Sequence, residues 1–389
     1  MLTDEQISEL RSHFPILLEK TYLYNCSQGA LCDAVEAGMR RYAASWRISA
    51  APWDEWMEAY EALRGAFARF INAQPDEVAI VTSASAGINP IANALQFDAR
   101  NHGRNDGRNK VVLSEYEFPT MAHIWLAQRP RGAEIHFLDG VNDTIPTACY
   151  EQAVDEKTRI VPLTHVSFVN GFRSDVAAIA KIAHTQGALL FLDGYQDCGT
   201  RPVDVKALDV DFYVTGTLKY LLGPPGLGFL YVRRELIETL TPTITSWMAQ
   251  RDVFAFNTKR LDPSPDARRF EGGSPPIPNI YMARPAIDLL AGIGMDNVAA
   301  QIEKLTGAFL KGVRDLRIAS KTPASSVGPL VVLRATDAAA VLAKLTARGI
   351  AVSTRRDGVR FAFHVYNTLE DVNVALTALE DSLDLMVRA

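Results

Sequence analysis

Between residues 77 and 232 seven short apolar runs alternate with helical patterns, and that alternation restricts the chain more than any other feature. The runs are EVAIVT (77–82), KVVLS (110–114), EIHFL (134–138), RIVPLTH (159–165), ALLFLD (188–193), DFYVTG (211–216) and LGFLYV (227–232). They are rich in β-branched and aromatic residues and end at turn or helix signals, as strands do. The clearest helix between them is DVAAIAKIAHTQG (175–187). Asp175 is placed to cap it, Val176, Ile179, Ile182 and Ala183 share a face, and Gly187 stops it. Strands apolar on both faces and separated by helices predict an α/β fold, a mostly parallel sheet sandwiched by helices.

The remainder has a different texture. Pro263, Pro265, Gly272, Gly273, Pro275, Pro276 and Pro278 make 257–278 a long irregular passage. A helical pattern then runs from Asn279 to about Leu316, broken near 292–294. The tail reads strand (GPLVVLRA), helix (337–348), strands around 350–363 and a last helix from Leu369. Single cores rarely grow beyond about 250–300 residues, so the 389 residues predict two domains. The expected division is a large domain over 16–261 and a smaller α+β domain over 262–389, which the N-terminal segment 1–15 joins.

The formal net charge of −5 gives no ground for a nucleic-acid partner. The pairs Arg268–Arg269 and Arg355–Arg356 are too short for a binding arm and read as solvated or locally paired charges. No apolar run approaches the roughly 20 residues that span a bilayer, and MLTDEQISEL lacks the pattern of a secretion signal. Cys26, Cys32, Cys149 and Cys198 have no metal-ligand spacing, so no metal and a reduced, cytoplasmic setting are expected.

Chemistry concentrates at two strand ends. In FLDGYQDCG (191–199) Asp193 closes an apolar strand, at the carboxyl edge where open α/β sheets bind ligands. Lys219 follows the next strand and precedes the Gly/Pro loop GPPGLG (223–228). Alone, such a lysine is usually a solvated surface residue, and a strand-end aspartate is often a helix cap or ribose ligand. Together they bring an amine and a carboxylate to one crevice, the pair that pyridoxal phosphate requires. The lysine forms a Schiff base and then shuttles the Cα proton, while the carboxylate keeps the ring nitrogen protonated. Gln196, three residues after Asp193, strengthens the pattern.

A phosphate site is legible in VTSASAGINPIANAL (81–95), where small residues lead from a strand into a helix. Ser83, Ser85 and the amides near Ala86 and Gly87 then lie at a helix N-terminus, which attracts anions; an ordinary N-cap is the competing reading. Thr215 and Thr217 could add hydroxyl donors. Phe118 in SEYEFPT could lie over a cofactor ring, or simply be core.

With these residues assembled, the chain resembles the class V branch of the fold-type I pyridoxal-phosphate enzymes, which holds cysteine desulfurases, kynureninase and several aminotransferases. The likeness runs from YLYNCSQGAL (22–31) to VRFAFHVYNTLEDV (359–372) and is densest over 164–232. It implies Lys219 as the Schiff-base lysine, Asp193 as the ring-nitrogen carboxylate and Gln196 as the partner of the ring's phenolic oxygen. It further implies Ala84 and Ser85 in the phosphate turn, Phe118 as the stacking aromatic and Trp247 near the phosphate. RRFEGGSPP (268–276) resembles the loop that enters the other subunit's site, so Gly273 and Ser274 would touch the partner's phosphate in a homodimer with shared sites. Arg360 matches the arginine that clamps a substrate α-carboxylate, for which a planar guanidinium is suited. Asn25 and His165 are candidate pocket-wall residues.

Two departures narrow the expected reaction. Residues 325–358 contain no counterpart of the desulfurase cysteine, and Leu218 and Met121 stand where kynureninase has a tyrosine and an aspartate. The expectation is an aminotransferase-like enzyme acting on a small α-amino acid by Cα deprotonation. A lyase or hydrolase breaking a Cβ–S or Cβ–Cγ bond is the alternative, followed by an epimerase or a non-catalytic cofactor-binding protein. A dinucleotide reading of GPPGLG fails because that loop precedes a strand instead of opening a helix.

Overall fold

The computed structural model describes residues 2–97 and 107–389. Its main sheet has seven strands: β1 (Val78–Val81), β2 (Lys110–Ser114), β3 (Glu134–Leu138), β4 (Thr158–Thr164), β5 (Leu189–Asp193), β6 (Phe212–Gly216) and β7 (Gly228–Val232). Each lies within two residues of its sequence-predicted run. The spatial order is β1-β7-β6-β5-β4-β2-β3. Only β7 runs against its neighbours, β1 and β6; the other pairings are parallel.

Burial explains why the sheet is covered on both sides. Alternate residues of one strand fall into different apolar clusters: Leu190 and Leu192 pack on one face of β5, Phe191 on the other. The same division separates Tyr213 from Phe212 and Val214 on β6. A strand has period two, so two apolar faces demand two helical layers. The helix Val176–Thr185 shows how the local signals act: Asp175 accepts a hydrogen bond from the Ala178 amide at 3.1 Å, and Gly187 ends the turn at φ 71°.

The smaller α+β unit carries an antiparallel sheet of β8 (Leu330–Arg334), β9 (Ser353–Arg355) and β10 (Gly358–Ala362), ordered β9-β10-β8. Helices Ala338–Ala347 and Leu369–Glu380 cover it. The two cores meet within the helix Met295–Asp315: Val298 and Ile302 belong to the larger cluster, and Leu305, Phe309 and Val313 to the smaller. The preceding helix Ile277–Ile293 buries Ile280, Ala283, Ile287 and Leu290 in the larger core. By packing, the change of core therefore comes later in the chain than the irregular stretch that marks it in sequence.

The N-terminal segment contacts both units, since Leu10, Phe14 and Leu17 belong to the larger core. Thr21–Tyr22 pairs in parallel with Ile350–Ala351, and Arg11 bonds Asp371 at 2.8 Å. Among the described residues no helix is long and apolar enough to cross a membrane.

Candidate active site

The carboxyl ends of β4, β5 and β6 lie side by side, with Thr164 opposite Asp193 and Asp193 opposite Val214. This row forms the floor of a cavity of about 350 Å³, the scale of a small-molecule site. The far wall is the small sheet, which docks through an apolar cluster of Cys26, Val166, Tyr220, Leu330, Val332 and Ala362. Of the residues expected from sequence, Ala84, Ser85, Phe118, Asp193, Gln196, Lys219 and Arg360 all line this one cavity.

Lys219 sits in the turn after β6. The chain folds back there because Leu222 adopts φ 58° and donates its amide to the Lys219 carbonyl at 3.1 Å. Gly29 packs so tightly on this turn that a Cβ would come 2.3 Å from the Lys219 carbonyl oxygen. Lys219 Nζ lies 4.5 Å from the centroid of the Tyr195 ring and 5.7 Å from that of Phe118. Burial pushes the amine down to about 8, against the opposing pull of Asp193. A lysine in that range supplies free amine near neutral pH, which nucleophilic and proton-transfer chemistry needs.

Asp193 is buried, and its Oδ1 accepts the Tyr195 amide at 2.9 Å. Burial raises its carboxyl; the Tyr195 amide and Lys219 pull the other way. Tyr195 reaches beneath the lysine because Gly216, at the end of β6, leaves room: a Cβ there would lie 2.1 Å from the tyrosine oxygen. Gln196 donates Nε2 to the Cys26 carbonyl at 3.0 Å, while its buried Oε1 has no partner. At the opposite end the helix Ala84–Ala94 begins, capped by Ser83, whose Oγ accepts the Ala86 amide at 3.1 Å. The first-turn amides have no carbonyl to bond within a helix and face an anion readily. Ser85 Oγ and Thr120 Oγ1 stand 3.3 Å apart beside them. Phe118 caps the helix Pro119–Leu126, its ring edge-on to Phe168 at 5.1 Å.

Arg360 is buried in the small-domain wall. Its guanidinium donates to Ser353 Oγ at 3.0 Å, the Phe168 carbonyl at 3.2 Å and Ser27 Oγ at 2.9 Å, with no carboxylate among them. A buried charge held only by neutral acceptors is costly unless an anion completes it.

Other expected residues lie elsewhere. Thr217 spends its hydroxyl on the Pro224 and Leu227 carbonyls, shaping the Gly/Pro loop. The Thr215 hydroxyl, buried and without an N or O partner, lies beside the Cys198 thiol instead of the cavity. Asn25 joins the N-terminal segment to β10, donating to the Ala362 carbonyl at 2.8 Å and accepting from the Tyr366 hydroxyl. His165 turns its Nδ1 toward Asp197 at 3.1 Å, behind the cavity wall. Trp247 lines a separate concavity, stacked on Phe256. Gly273 and Ser274 are exposed on a loop that touches none of this chain's own cavity.

The structure also adds residues to the site. Tyr195 and Thr120 line the cavity, as does Arg355 at its edge. Behind the wall, buried Glu117 accepts from Ser114 Oγ at 3.0 Å and the Thr164 amide at 3.1 Å. Its Oε2 is unpartnered, and burial, reinforced by Asp193, pushes the carboxyl up to about 8.

Residues 30–374 match the family described as Aminotransferase class-V. The chain belongs to that family. It is 31% identical over 369 residues to an uncharacterized aminotransferase, YcbU, of Bacillus subtilis, covering 95% of this chain and 96% of that protein. It is likewise 31% identical over 405 residues to a probable cysteine desulfurase of Streptomyces coelicolor, again covering 95% and 96%. Among solved structures, a C-DES variant with glycine covalently linked to its pyridoxal phosphate superposes with a TM-score of 0.87 at 21% identity, covering 95% of this chain and 99% of that one. This last likeness shows the shared fold-type I architecture.

Class V members are pyridoxal-phosphate enzymes, and the residues present fit that cofactor. A free amine, a buried carboxylate, a buried amide with an unused oxygen and a helix N-terminus converge on one cavity. Lys219 would hold the cofactor covalently, Asp193 and Gln196 would hold its ring, and the Ala84–Ser85 turn its phosphate.

Proposed function

We propose that the chain is an aminotransferase for a small α-amino acid. The observation that carries this reading is Arg360, a buried guanidinium across the cavity from Lys219 with only neutral acceptors around it. A substrate α-carboxylate supplies the missing anion and, through two parallel hydrogen bonds, sets the amino group and Cα toward Lys219. Pyridoxal phosphate, when bound, supplies the electron sink for the pair released as a bond to Cα breaks. Lys219 Nζ then takes the Cα proton and returns it elsewhere, a role for which an amine near 8 is suited. Asp193 would hold the cofactor's ring nitrogen in its protonated form, and the rings of Phe118 and Tyr195 flank the amine. The absence of cysteine from 325–358 speaks against a reaction that leaves sulfur as a persulfide on an enzyme cysteine.

The same reading includes a two-fold homodimer. Gly273, at φ 63° with open space around its Cα, and the exposed Ser274 sit on a loop suited to reach a partner's phosphate turn. Sedimentation of the purified protein as a monomer would remove this part.

The test is product analysis with a panel of α-amino acids. Transamination predicts a keto acid formed in step with amination of an added keto-acid acceptor. Release of pyruvate or alanine with a severed side chain, independent of any acceptor, would instead make the enzyme a lyase or hydrolase.

A further inference from the structure

Arg355 lies on the same pocket-facing side of the small sheet as Arg360. In the β9–β10 hairpin Ser353 pairs with Arg360 and Arg355 with Gly358. Side chains alternate along a strand, so Ser353, Arg355 and Arg360 share one face. That face fronts the cavity, since Arg360 bonds Ser27 and the Phe168 carbonyl and both arginines line it. The residue opposite Arg355 has no side chain, so its neighbour on β10 is the diagonal Arg360, at about 7–8 Å between backbones.

The charge at this edge is not neutralised from within. The Arg355 guanidinium donates to the Thr354 carbonyl at 2.8 Å and makes no ion pair with any described residue. The one carboxylate of the hairpin turn, Asp357, is held by Lys321 at 2.5 Å and Arg334 at 3.6 Å. Among the cavity-lining residues Asp193 is the only acid and lies at the sheet end, whereas Arg355 and Arg360 are permanent cations of the small-sheet wall. An α-carboxylate answers Arg360 and leaves Arg355 without a partner.

We infer, resting on the α-amino-acid reading above, that Arg355 is a specificity-determining residue that binds a second anion on the substrate side chain. The substrate class is then an acidic α-amino acid, with an ω-carboxylate or an isosteric sulfonate. Like charges set side by side at a pocket mouth are tolerable when one dianionic ligand spans them.

The experiment uses the cofactor-loaded enzyme and reads the change in cofactor absorbance on titration with L-glutamate, L-aspartate, their amides and norvaline. The wild type should bind an acidic member about ten- to a hundred-fold more tightly than its own amide, the worth of a charge-assisted hydrogen bond. Arg355→Gln should bring that ratio near one without weakening the amide, and Arg355→Lys should keep part of the preference. The inference is overturned if Arg355→Gln weakens acid and amide alike, or if the preference is absent from the wild type or survives the change. If no α-amino acid perturbs the absorbance of a cofactor-loaded wild type, the α-amino-acid reading itself falls; binding without preference removes only the role of Arg355.

Discussion

Lys219 Nζ lies 4.5 Å from the centroid of the Tyr195 ring, and the amide of that same tyrosine donates to Asp193 Oδ1 at 2.9 Å. One residue thus touches both the amine and the carboxylate. Its ring helps to bury the lysine, and burial is the leading cause of the amine's fall to about 8. Tyr195→Ala keeps the backbone amide on Asp193 but admits water to Nζ, so the amine should climb back toward its ordinary value near 10.5. The pH dependence of amine labelling at Lys219 in the cofactor-free protein measures this. A midpoint that does not move would show that the ring is not what desolvates the lysine.

Arg360 offers a sharper test of binding against cofactor retention. Its three acceptors are neutral, so replacing it leaves no buried carboxylate stranded. Arg360→Met should weaken amino-acid binding by about ten- to a hundred-fold, the loss of charge-assisted hydrogen bonds. Arg360→Lys should recover little, because an ammonium is a point charge and lacks the planar fork. Cofactor absorbance should be unchanged in both variants. Bleaching in proportion to the loss of binding would mean that Arg360 supports the cofactor pocket instead.

The sheet and the Lys219–Asp193 pair were legible because both are local. Each strand announced itself by its own β-branched run, and both groups stand at strand ends whose direction follows from the alternation with helices. Arg360 is legible only through the resemblance of its segment to a known motif. Arg355 reads in sequence as half of a solvated basic pair, since its place depends on which hairpin face docks against the large domain. Asn25 and His165 were expected in the pocket wall, but their partners, Ala362 and Asp197, come from tertiary contacts that no spacing shows. Thr215 and Thr217 flank the right turn and point away from the cavity.

Glu117 makes a stability prediction whose sign is unusual for a carboxylate. Its proton is held in the folded chain up to about pH 8, against an ordinary value of 4.5. Between these values the native state binds more protons than the unfolded one, so this group makes stability fall as pH rises. Glu117→Gln keeps a neutral planar group and does not titrate. Its stability relative to wild type should therefore increase from pH 5 to pH 8, by on the order of 4 kcal/mol at most. Urea unfolding at the two pH values decides the point; a constant difference would mean that the buried acid is ionised throughout.

His364 should act with pH in the opposite sense. The imidazole is buried between the rings of Tyr220 and Tyr366, at 5.9 Å and 5.1 Å. Its Nδ1 accepts the Val365 amide at 2.7 Å and so carries no proton, which leaves Nε2–H to donate to the Tyr220 carbonyl at 2.9 Å. Protonating Nδ1 would set two N–H groups against each other inside the core. Burial accordingly pushes the ring down to about 4 from 6.5. Between those values the unfolded chain binds the extra proton, so the contribution is complete above pH 6.5 and is lost as pH falls toward 4. The loss approaches about 3 kcal/mol, at about 1.4 kcal/mol for each unit. His364→Gln can keep a donor toward Tyr220 but cannot titrate, so its stability should decline less than wild type between pH 7 and pH 5. Because Tyr220 adjoins Lys219, loss of this small-domain bond should also loosen the lysine turn. Retention of cofactor absorbance should then fall with stability over the same pH range in wild type, and less steeply in the variant. Parallel pH profiles for the two proteins would mean that His364 fills space beside Tyr220 without holding it.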